Sequence, residues 1–154
     1  MSLEEYQKKR DLERSPEPKG ENKKDSEKNA TKIFVIQEHW ASHHHWDLRL
    51  EMGGVLRSWA VPKEPPTVEG VKRLAIQVED HPLEYASFEG TIPEGMYGAG
   101  TVKIYDIGEL VIEEETDNKI LFQLKGKKMT GKYVLMHVPN MGENSWLFFK
   151  RMQF

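Results

Sequence analysis

The sequence contains no cysteine among its 154 residues, so it can form neither a disulfide bond nor a thiolate metal site. It also lacks any run of about 20 apolar residues, which a membrane-spanning helix would need. The first residues include no apolar stretch typical of a secretion signal. These absences, together with a length that fits one domain, predict a soluble cytoplasmic protein with a single core.

An excess of positive charge is also missing, because 22 basic and 25 acidic side chains leave a net charge of -3. A protein that coats nucleic acid regardless of its sequence is usually basic overall, so this class is disfavoured. A small site that grips one phosphate is still compatible with the composition.

Composition divides the chain near residue 30. Residues 1–30 hold eight basic and eight acidic side chains and almost no aliphatic ones, which is typical of a segment that cannot order itself. Its start is the exception, because Ser2 and Glu5 form a possible capping box and predict a short helical stretch. We therefore expect an N-terminal arm and linker over residues 1–30, followed by one domain over residues 31–154.

Short segments rich in branched and aromatic residues follow one another after residue 30. The segment HWDLRLEM (45–52) alternates strictly, and Gly53-Gly54 then predict a hairpin turn. GTVKIYDIG (100–108) and ELVIEEE (109–115) are expected as separate strands. About eight or nine short strands and no long amphipathic helix predict an all-β domain, either an antiparallel barrel or a sandwich.

Four of the six histidines lie in one short stretch, at positions 39, 43, 44 and 45. Because side chains alternate across a strand, His45, Asp47 and Arg49 share one face. Two of them, His45 and Asp47, could converge on one metal ion, with His39 on the preceding strand as the natural third ligand. Arg49 could then reach an anion bound beside the metal. An exposed polar strand face that happens to be rich in histidine is about equally compatible with this spacing.

A second group of polar residues falls where a strand gives way to a proline-marked turn: Glu79, Asp80, His81 and Tyr85. Loops after strands often carry functional residues on a rigid scaffold. Beside a metal-binding strand, His81 becomes a candidate general acid or phosphate ligand. The segment PEGMYGAG (93–100) is rich in glycine, but it has no P-loop lysine and no following helix, so it predicts a tight turn.

Two long segments closely resemble the 3′-phosphoesterase domain of bacterial DNA ligase D, namely FVIQEHWASHHHWDLRLEMGGVLRSWAVPKEP (34–65) and KRLAIQVEDHPLEYASFEGTIPEGMYGAGTVKIYD (72–106). The arm segment YQKKRDLERSPEP also has the family's Arg-Asp pair followed by a Pro-Glu-Pro turn. The resemblance implies a small β-barrel of about eight strands with its site on one concave surface. It also implies a manganese-dependent enzyme, and the same kind of site would accept Co²⁺ or Zn²⁺.

Members of this family act on the 3′ ends of DNA. A phosphodiesterase step removes a terminal ribonucleoside, and a phosphomonoesterase step then removes the 3′-phosphate to leave a 3′-hydroxyl. The resemblance therefore implies primer–template ends as substrates. The chain looks like the stand-alone archaeal or bacterial versions of the domain, with no polymerase or ligase module attached, so a separate DNA ligase chain is expected as partner. Two alternatives are a non-catalytic module that docks on DNA ends or a ligase, and a metal-dependent RNA-processing nuclease.

The family's site residues carry over onto this chain position by position. Its metal ligands fall on His39, His45 and Asp47. Its phosphate-contacting residues fall on Arg49 and His81, with Tyr85 beside them. Arm residues linked to the diesterase step fall on Arg10, Asp11 and Glu17, so residues 6–17 are expected to fold over the site. Further positions that line the family's site fall on Gln37, Lys63, Arg73 and Glu79. Many members have arginine and leucine where this chain has His43 and His44.

Overall fold

The computed structural model describes residues 3–9 and 31–152. One short helix, α1 (Leu3–Lys9), comes first. The described residues then form nine strands: β1 (Lys32–Trp40), β2 (His44–Met52), β3 (Val55–Val61), β4 (Lys72–His81), β5 (Gly90–Ile92), β6 (Gly100–Glu115), β7 (Lys119–Lys125), β8 (Thr130–His137) and β9 (Ser145–Lys150). Two 3-10 turns, Leu83–Ser87 and Pro139–Met141, interrupt the connections. Neither α1 nor any other helix in the described part of the chain is long and apolar enough to span a membrane.

Eight of these strands form a closed ring in the order β1-β2-β3-β4-β9-β8-β7-β6, which closes because β6 also pairs with β1. Every neighbouring pair is antiparallel. The short strand β5 lies outside the ring and pairs with the start of β6. The prediction of a small antiparallel barrel preceded by a short helix is therefore confirmed.

The hairpin between β2 and β3 sets the register of the strand that carries the candidate ligands. Met52 pairs with Val55, so the loop has two residues, Gly53 and Gly54, with φ values of 63° and 81°. Both angles belong to the left-handed region that a two-residue hairpin of type I′ requires. The register places Asp47 beside Ala60 and Arg49 beside Ser58.

The strand β6 differs from the prediction, because residues 100–115 form one strand of 16 residues and not two shorter ones. Gly108 does not make a turn. A side chain at this position would collide with the carbonyl of Lys125, so the glycine allows β7 to approach closely. The short β5 was also not predicted, since three residues provide too little alternation to detect.

Two apolar clusters lie on opposite sides of β2. Leu48 and Leu50 point into the barrel, where they pack in a core with aromatic residues such as Trp59 and Phe148. A second cluster covers the outer side of β1 and β2, and it includes Tyr6, Val35, Leu56, Tyr85, Phe88 and Ile92. The polar face of β2 is therefore covered by the segment after β4 and by α1. This excludes the interpretation of an exposed polar strand face.

A candidate metal and phosphate site

A cavity of about 280 Å³ opens on the outer side of the barrel, between the faces of β1 to β4 and the segment that follows β4. Most of the sequence-predicted site residues line it. The lining comprises His39, Ala41, His45, Asp47, Arg49, Ala60, Val78, Glu79, His81, Tyr85, Ile92, Tyr97 and Gly98. Residues that are separate in the sequence thus meet because β1, β2 and β4 place them on one side of the sheet.

Three of these residues could hold a metal ion. His39 pairs directly with His45 across β1 and β2, and Asp47 follows two residues later on the same face. The Nε2 atom of His45 lies 3.2 Å from Oδ2 of Asp47, and Nδ1 of His39 lies 3.6 Å from the same oxygen. One ligand atom from each residue lies within 4.8 Å of the others.

Backbone carbonyls determine which imidazole nitrogens carry protons. Nε2 of His39 lies 2.8 Å from the carbonyl oxygen of Gly98, and Nδ1 of His45 lies 2.8 Å from that of His43. A carbonyl oxygen only accepts, so each of these nitrogens donates, and the other nitrogen of each neutral ring presents a lone pair toward Asp47. Three acceptors that face one another repel, unless a cation lies between them or one ring takes a second proton.

This donor set fits a divalent transition metal, since two imidazoles and a carboxylate suit Mn²⁺, Co²⁺ and Zn²⁺. The electrostatics of the ligands show that the cluster attracts positive charge. Burial lowers the pKa of His45, but the hydrogen bond and the charge of Asp47 outweigh it, so the net pKa is raised. Burial would raise the pKa of Asp47, yet the Arg49 guanidinium and the two imidazoles hold it well below its usual range. The carboxylate is therefore charged and available as a ligand.

Arg49 provides the next charge along the same face of β2. Its side chain is almost fully buried, with one nitrogen, Nη2, 3.6 Å from Oδ2 of Asp47. The guanidinium also packs over the ring of Tyr85, with 4.8 Å from Cζ to the ring centre. Its Nη1 is buried and has no hydrogen-bond partner among the described residues. A buried cationic donor without a partner is costly, and an anion in the cavity would satisfy it.

Gln37 holds Arg49 in this position from behind. The residue is fully buried, and its Oε1 accepts a hydrogen bond of 2.6 Å from Nε of Arg49. Its Nε2 donates to the carbonyl oxygens of Tyr85 and Phe88, at 2.7 and 3.1 Å. Gln37 does not itself line the cavity. Its hydrogen bonds connect Arg49 on β2 to the turn that covers the site.

His81 lies at the end of β4 and lines the cavity with its ring between two tyrosines. Its Nδ1 donates to the carbonyl oxygen of Glu79 at 3.0 Å, which directs the remaining nitrogen away from that strand. The rings of Tyr6 and Tyr85 meet the imidazole edge-on, each with 4.7 Å between ring centres. The imidazole is therefore held in one orientation by packing on both sides.

Helix α1 brings two residues to the site that the sequence did not single out. Tyr6 is fully buried, and burying a side chain of this size contributes about 2–3 kcal/mol to the docking of the helix. Nζ of Lys9 lies 3.1 Å from Oε1 of Glu79 and 3.5 Å from the hydroxyl of Tyr97. The family resemblance implied that residues 6–17 fold over the site, but it assigned no role to Tyr6 or Lys9.

Other predicted residues lie elsewhere or outside the described residues. Arg10, Asp11 and Glu17 fall outside the described part of the chain. Lys63 is exposed, and Nε of Arg73 donates to the carbonyl oxygen of Glu64 at 2.7 Å, so neither lines the cavity. Their roles stay predictions.

Comparison with known proteins identifies a family to which the chain is similar. The family model of the DNA Ligase D 3′-phosphoesterase domain matches residues 37–137. The Multifunctional non-homologous end joining protein LigD of Pseudomonas aeruginosa is 43% identical over 153 residues, which cover 95% of this chain and 18% of that protein. The protein of the same name from Mycobacterium bovis is 46% identical over 138 residues, which cover 87% of this chain and 18% of that protein. The chain thus spans about a fifth of the length of these relatives.

Proposed function

The chain belongs to the DNA ligase D 3′-phosphoesterase domain family, and from this premise we propose that it heals the 3′ ends of DNA. Its proposed substrates are primer–template ends that carry a terminal ribonucleotide or a 3′-phosphate. A phosphodiesterase step releases the terminal ribonucleoside and leaves a 3′-phosphate. A phosphomonoesterase step then releases inorganic phosphate and leaves a 3′-hydroxyl.

One observation carries this proposal: a cluster of metal-ligating acceptors lies directly beside a buried arginine whose Nη1 has no hydrogen-bond partner in residues 3–9 and 31–152. A metal ligand set next to an anion-binding donor suits the charge of a phosphate group. A module that only docks on DNA or on a ligase would need neither the convergent lone pairs nor the buried guanidinium. The geometry therefore favours an enzyme over a docking module.

His39, His45 and Asp47 would hold Mn²⁺, Co²⁺ or Zn²⁺, and the bound ion would act as a Lewis acid toward phosphate. Arg49 binds the non-bridging oxygens of the phosphate with its planar fork. Its hydrogen bond to Gln37 fixes the guanidinium in advance, so little reorganisation is needed as charge develops.

His81 acts on the leaving oxygen in this proposal. Because its Nδ1 donates to the carbonyl of Glu79, the opposite ring nitrogen carries a proton only in the imidazolium form, and in that form it can donate a proton to the leaving oxygen or a hydrogen bond to phosphate. Tyr6 and Tyr85 keep the ring from turning away. Arg49 and His81 would therefore serve both steps, since both release a group from the same phosphorus atom.

The arm is proposed to act on the diesterase step. Arg10, Asp11 and Glu17 would position the terminal ribonucleoside, which only that step has to hold. Point substitutions test this better than deletion of the arm, because deletion also removes Tyr6 from its contact with His81. Arg10→Ala should slow release of the nucleoside far more than release of phosphate from a ready-made 3′-phosphate.

The relatives are named for non-homologous end joining, so we also propose that a DNA ligase uses the healed end. In our proposal this ligase is a separate chain. A pull-down from cell extract, with DNA removed by nuclease, tests whether ligase and phosphoesterase associate directly.

The proposed function is tested with a 5′-labelled primer–template that ends in one ribonucleotide, incubated with Mn²⁺ and resolved on a denaturing gel. We expect the primer to shorten by one nucleoside and then to lose its phosphate, and we expect an all-deoxy 3′-hydroxyl end to be nearly inert. Internal cuts would indicate an RNA-processing nuclease, and absence of any reaction would indicate a docking module. Arg49→Lys serves as the matched variant, because it keeps the charge and removes the bidentate fork.

A further inference from the structure

An aromatic platform lies at the end of the barrel where β1 ends and β2 begins. It consists of Trp40, His44 and Trp46. The indole of Trp40 is 42% exposed and stacks on His44 with 5.3 Å between ring centres and only 14° between the planes. The other side of His44 contacts Trp46 at 4.5 Å. Oε2 of Glu38 lies 2.8 Å from Nε2 of His44 and fixes the middle ring.

The platform adjoins the cavity without being part of it. Trp40 and His44 pair across the two strands, next to the pair formed by His39 and His45. Because side chains alternate, the platform rings point to the opposite side of the hairpin from the candidate ligands. Ala41, which follows Trp40, lines the cavity. A polymeric ligand that leaves the cavity past Ala41 therefore passes over the end of the hairpin and reaches Trp40, the residue before Ala41.

A lysine turn, formed by Lys127 and Lys128 between β7 and β8, lies at the same end of the barrel. The buried carboxylate of Asp106 holds it, because its two oxygens accept hydrogen bonds of 3.0 Å from the backbone nitrogens of both lysines. A third bond of 2.8 Å comes from the nitrogen of Met129. Both lysine side chains are exposed. A fixed turn that directs two cations into solvent loses little entropy when it binds an anionic chain.

One more lysine lies between the platform and the lysine turn. Lys103 is exposed on β6, where it pairs with Glu38 beneath the platform. Further along β6, the ring of Tyr105 lies 4.1 Å from Nζ of Lys128. The order along this end of the barrel is therefore the exposed indole, then Lys103, then the lysine turn.

The two ends of the barrel differ in charge within residues 31–152. The loops at the platform end carry four basic and three acidic residues: Lys63, Lys127, Lys128, Arg151, Glu64, Glu69 and Glu94. The loops at the opposite end carry two acidic residues and no lysine or arginine, namely Asp117 and Glu143, while Glu84 and Glu89 lie in the segment after β4 that crosses the outer side of the barrel. Charge is therefore distributed unevenly between the two ends despite the net charge of -3, and a polyanion would be attracted to the platform end.

We propose that the platform end is the surface on which the DNA strand next to the reacting 3′ end binds. A nucleobase stacks on the exposed face of Trp40, and backbone phosphates contact Lys103 and the lysine turn. The inference rests on the proposed function for the identity of its ligand. It fits nucleic acid better than a protein partner, because aromatic faces beside lysines match the alternation of base and phosphate in a strand.

Binding is measured with DNA that ends in a 3′-hydroxyl, the proposed product, so that no turnover interferes. A fluorescent 2-aminopurine replaces each of the last four bases of the primer in turn, because its fluorescence falls when it stacks on an aromatic ring. We expect quenching at one position in the wild type. Trp40→Ala should abolish it and weaken binding about tenfold, and Trp40→Phe should retain most of both.

The lysine turn is tested by the salt dependence of the same binding. Removing two phosphate contacts should reduce the slope of log K against log salt concentration by about 2 in Lys127→Ala/Lys128→Ala. Lys119→Ala is the matched charge control, since Lys119 lies at the opposite end of the barrel. Met136→Ala, also at that end and exposed, is the matched control for loss of an exposed apolar side chain.

Wild-type quenching in Trp40→Ala, together with an unchanged slope in the double lysine variant, would overturn the inference. If Trp40→Ala fails to fold, the slope alone decides. Failure of the proposed function would look different: the wild type would bind DNA with these signatures but release neither nucleoside nor phosphate. Normal end healing with no effect of either substitution on binding would leave the function intact and refute the binding surface.

Discussion

Gln37 offers a direct test of how the site is built, because one buried amide makes three hydrogen bonds there. Replacing it with methionine keeps the size of the side chain but removes all three bonds. Nε of Arg49 and the carbonyl oxygen of Phe88 would then lose this partner, and the carbonyl oxygen of Tyr85 would keep only the bond from the backbone nitrogen of Phe88. Leaving a buried polar group unpaired costs about 1–3 kcal/mol, and more for a charged one.

The expected loss in the free energy of unfolding for Gln37→Met is about 3–5 kcal/mol, after allowing for partial relaxation of the turn. Gln37→Glu separates the contribution of the bond to Arg49 from that of the two bonds to the turn. Its carboxylate still accepts from Arg49, but its second oxygen faces two carbonyl oxygens in place of the amide donor. This variant should therefore be destabilised and should keep the orientation of the arginine better than the methionine variant does.

Urea denaturation followed by tryptophan fluorescence, with EDTA present, measures these differences without a contribution from metal. Gln123→Met is the matched control, since the single bond from Gln123 to Glu113 is exposed and its loss should cost less than about 0.5 kcal/mol. Phosphate release from a 3′-phosphate end should fall in the order wild type, Gln37→Glu, Gln37→Met. Unfolding energies of both Gln37 variants within 0.5 kcal/mol of the wild type would refute the reasoning.

Three further predictions follow from the site and its surroundings. His45→Ala should abolish Mn²⁺ binding in calorimetry and both reaction steps while the protein still unfolds cooperatively, and activity that survives both this change and EDTA would rule out the metal site. Tyr6→Ala should loosen α1, which would increase proteolysis of the arm and slow phosphate release. Tyr6→Phe should restore the resistance to proteolysis and the rate of phosphate release. Equal rates of phosphate release in the wild type and both variants would show that Tyr6 does not orient His81. Burial raises the pKa of Asp80 to about 6, so its contribution to stability is complete below about pH 4 and is lost as the pH rises through 6. Asp80→Asn should therefore raise the free energy of unfolding at pH 8 by about 1 kcal/mol, reduced for partial exposure, and leave it unchanged at pH 3.5, and equal gains at both pH values would contradict this.

Much of the metal site could be predicted, because strand geometry is local. The strict alternation of residues 45–52 places His45 and Asp47 on one face. A two-residue hairpin turn defines the register on one side of that strand. The position of His39 opposite His45 needed only the assumption that β1 and β2 are neighbours, which short connections favour.

The surroundings of the site could not be predicted in the same way, since they depend on contacts between distant residues. Gln37 lies 48 positions before Tyr85, and nothing in either local sequence indicates their hydrogen bond. The tautomers of the imidazoles depend on the carbonyls of His43 and Gly98, which belong to turns and not to strands with a readable pattern. Helix α1 is similar, because without the family resemblance a single tyrosine in a charged segment is too weak a signal to predict docking.

The place of β9 in the ring has a consequence for where this domain can be cut. It inserts between β4 and β8, although it comes from the far end of the described chain. A fragment limited to the residues that the family model matches, 37–137, would lack this strand. The barrel would become an open sheet with two long unpaired edges, and the aromatic core would face water through the gap. Unprotected edges of this kind pair with other copies of themselves, so such a fragment should aggregate. The region that the family model matches is thus smaller than the region that can fold.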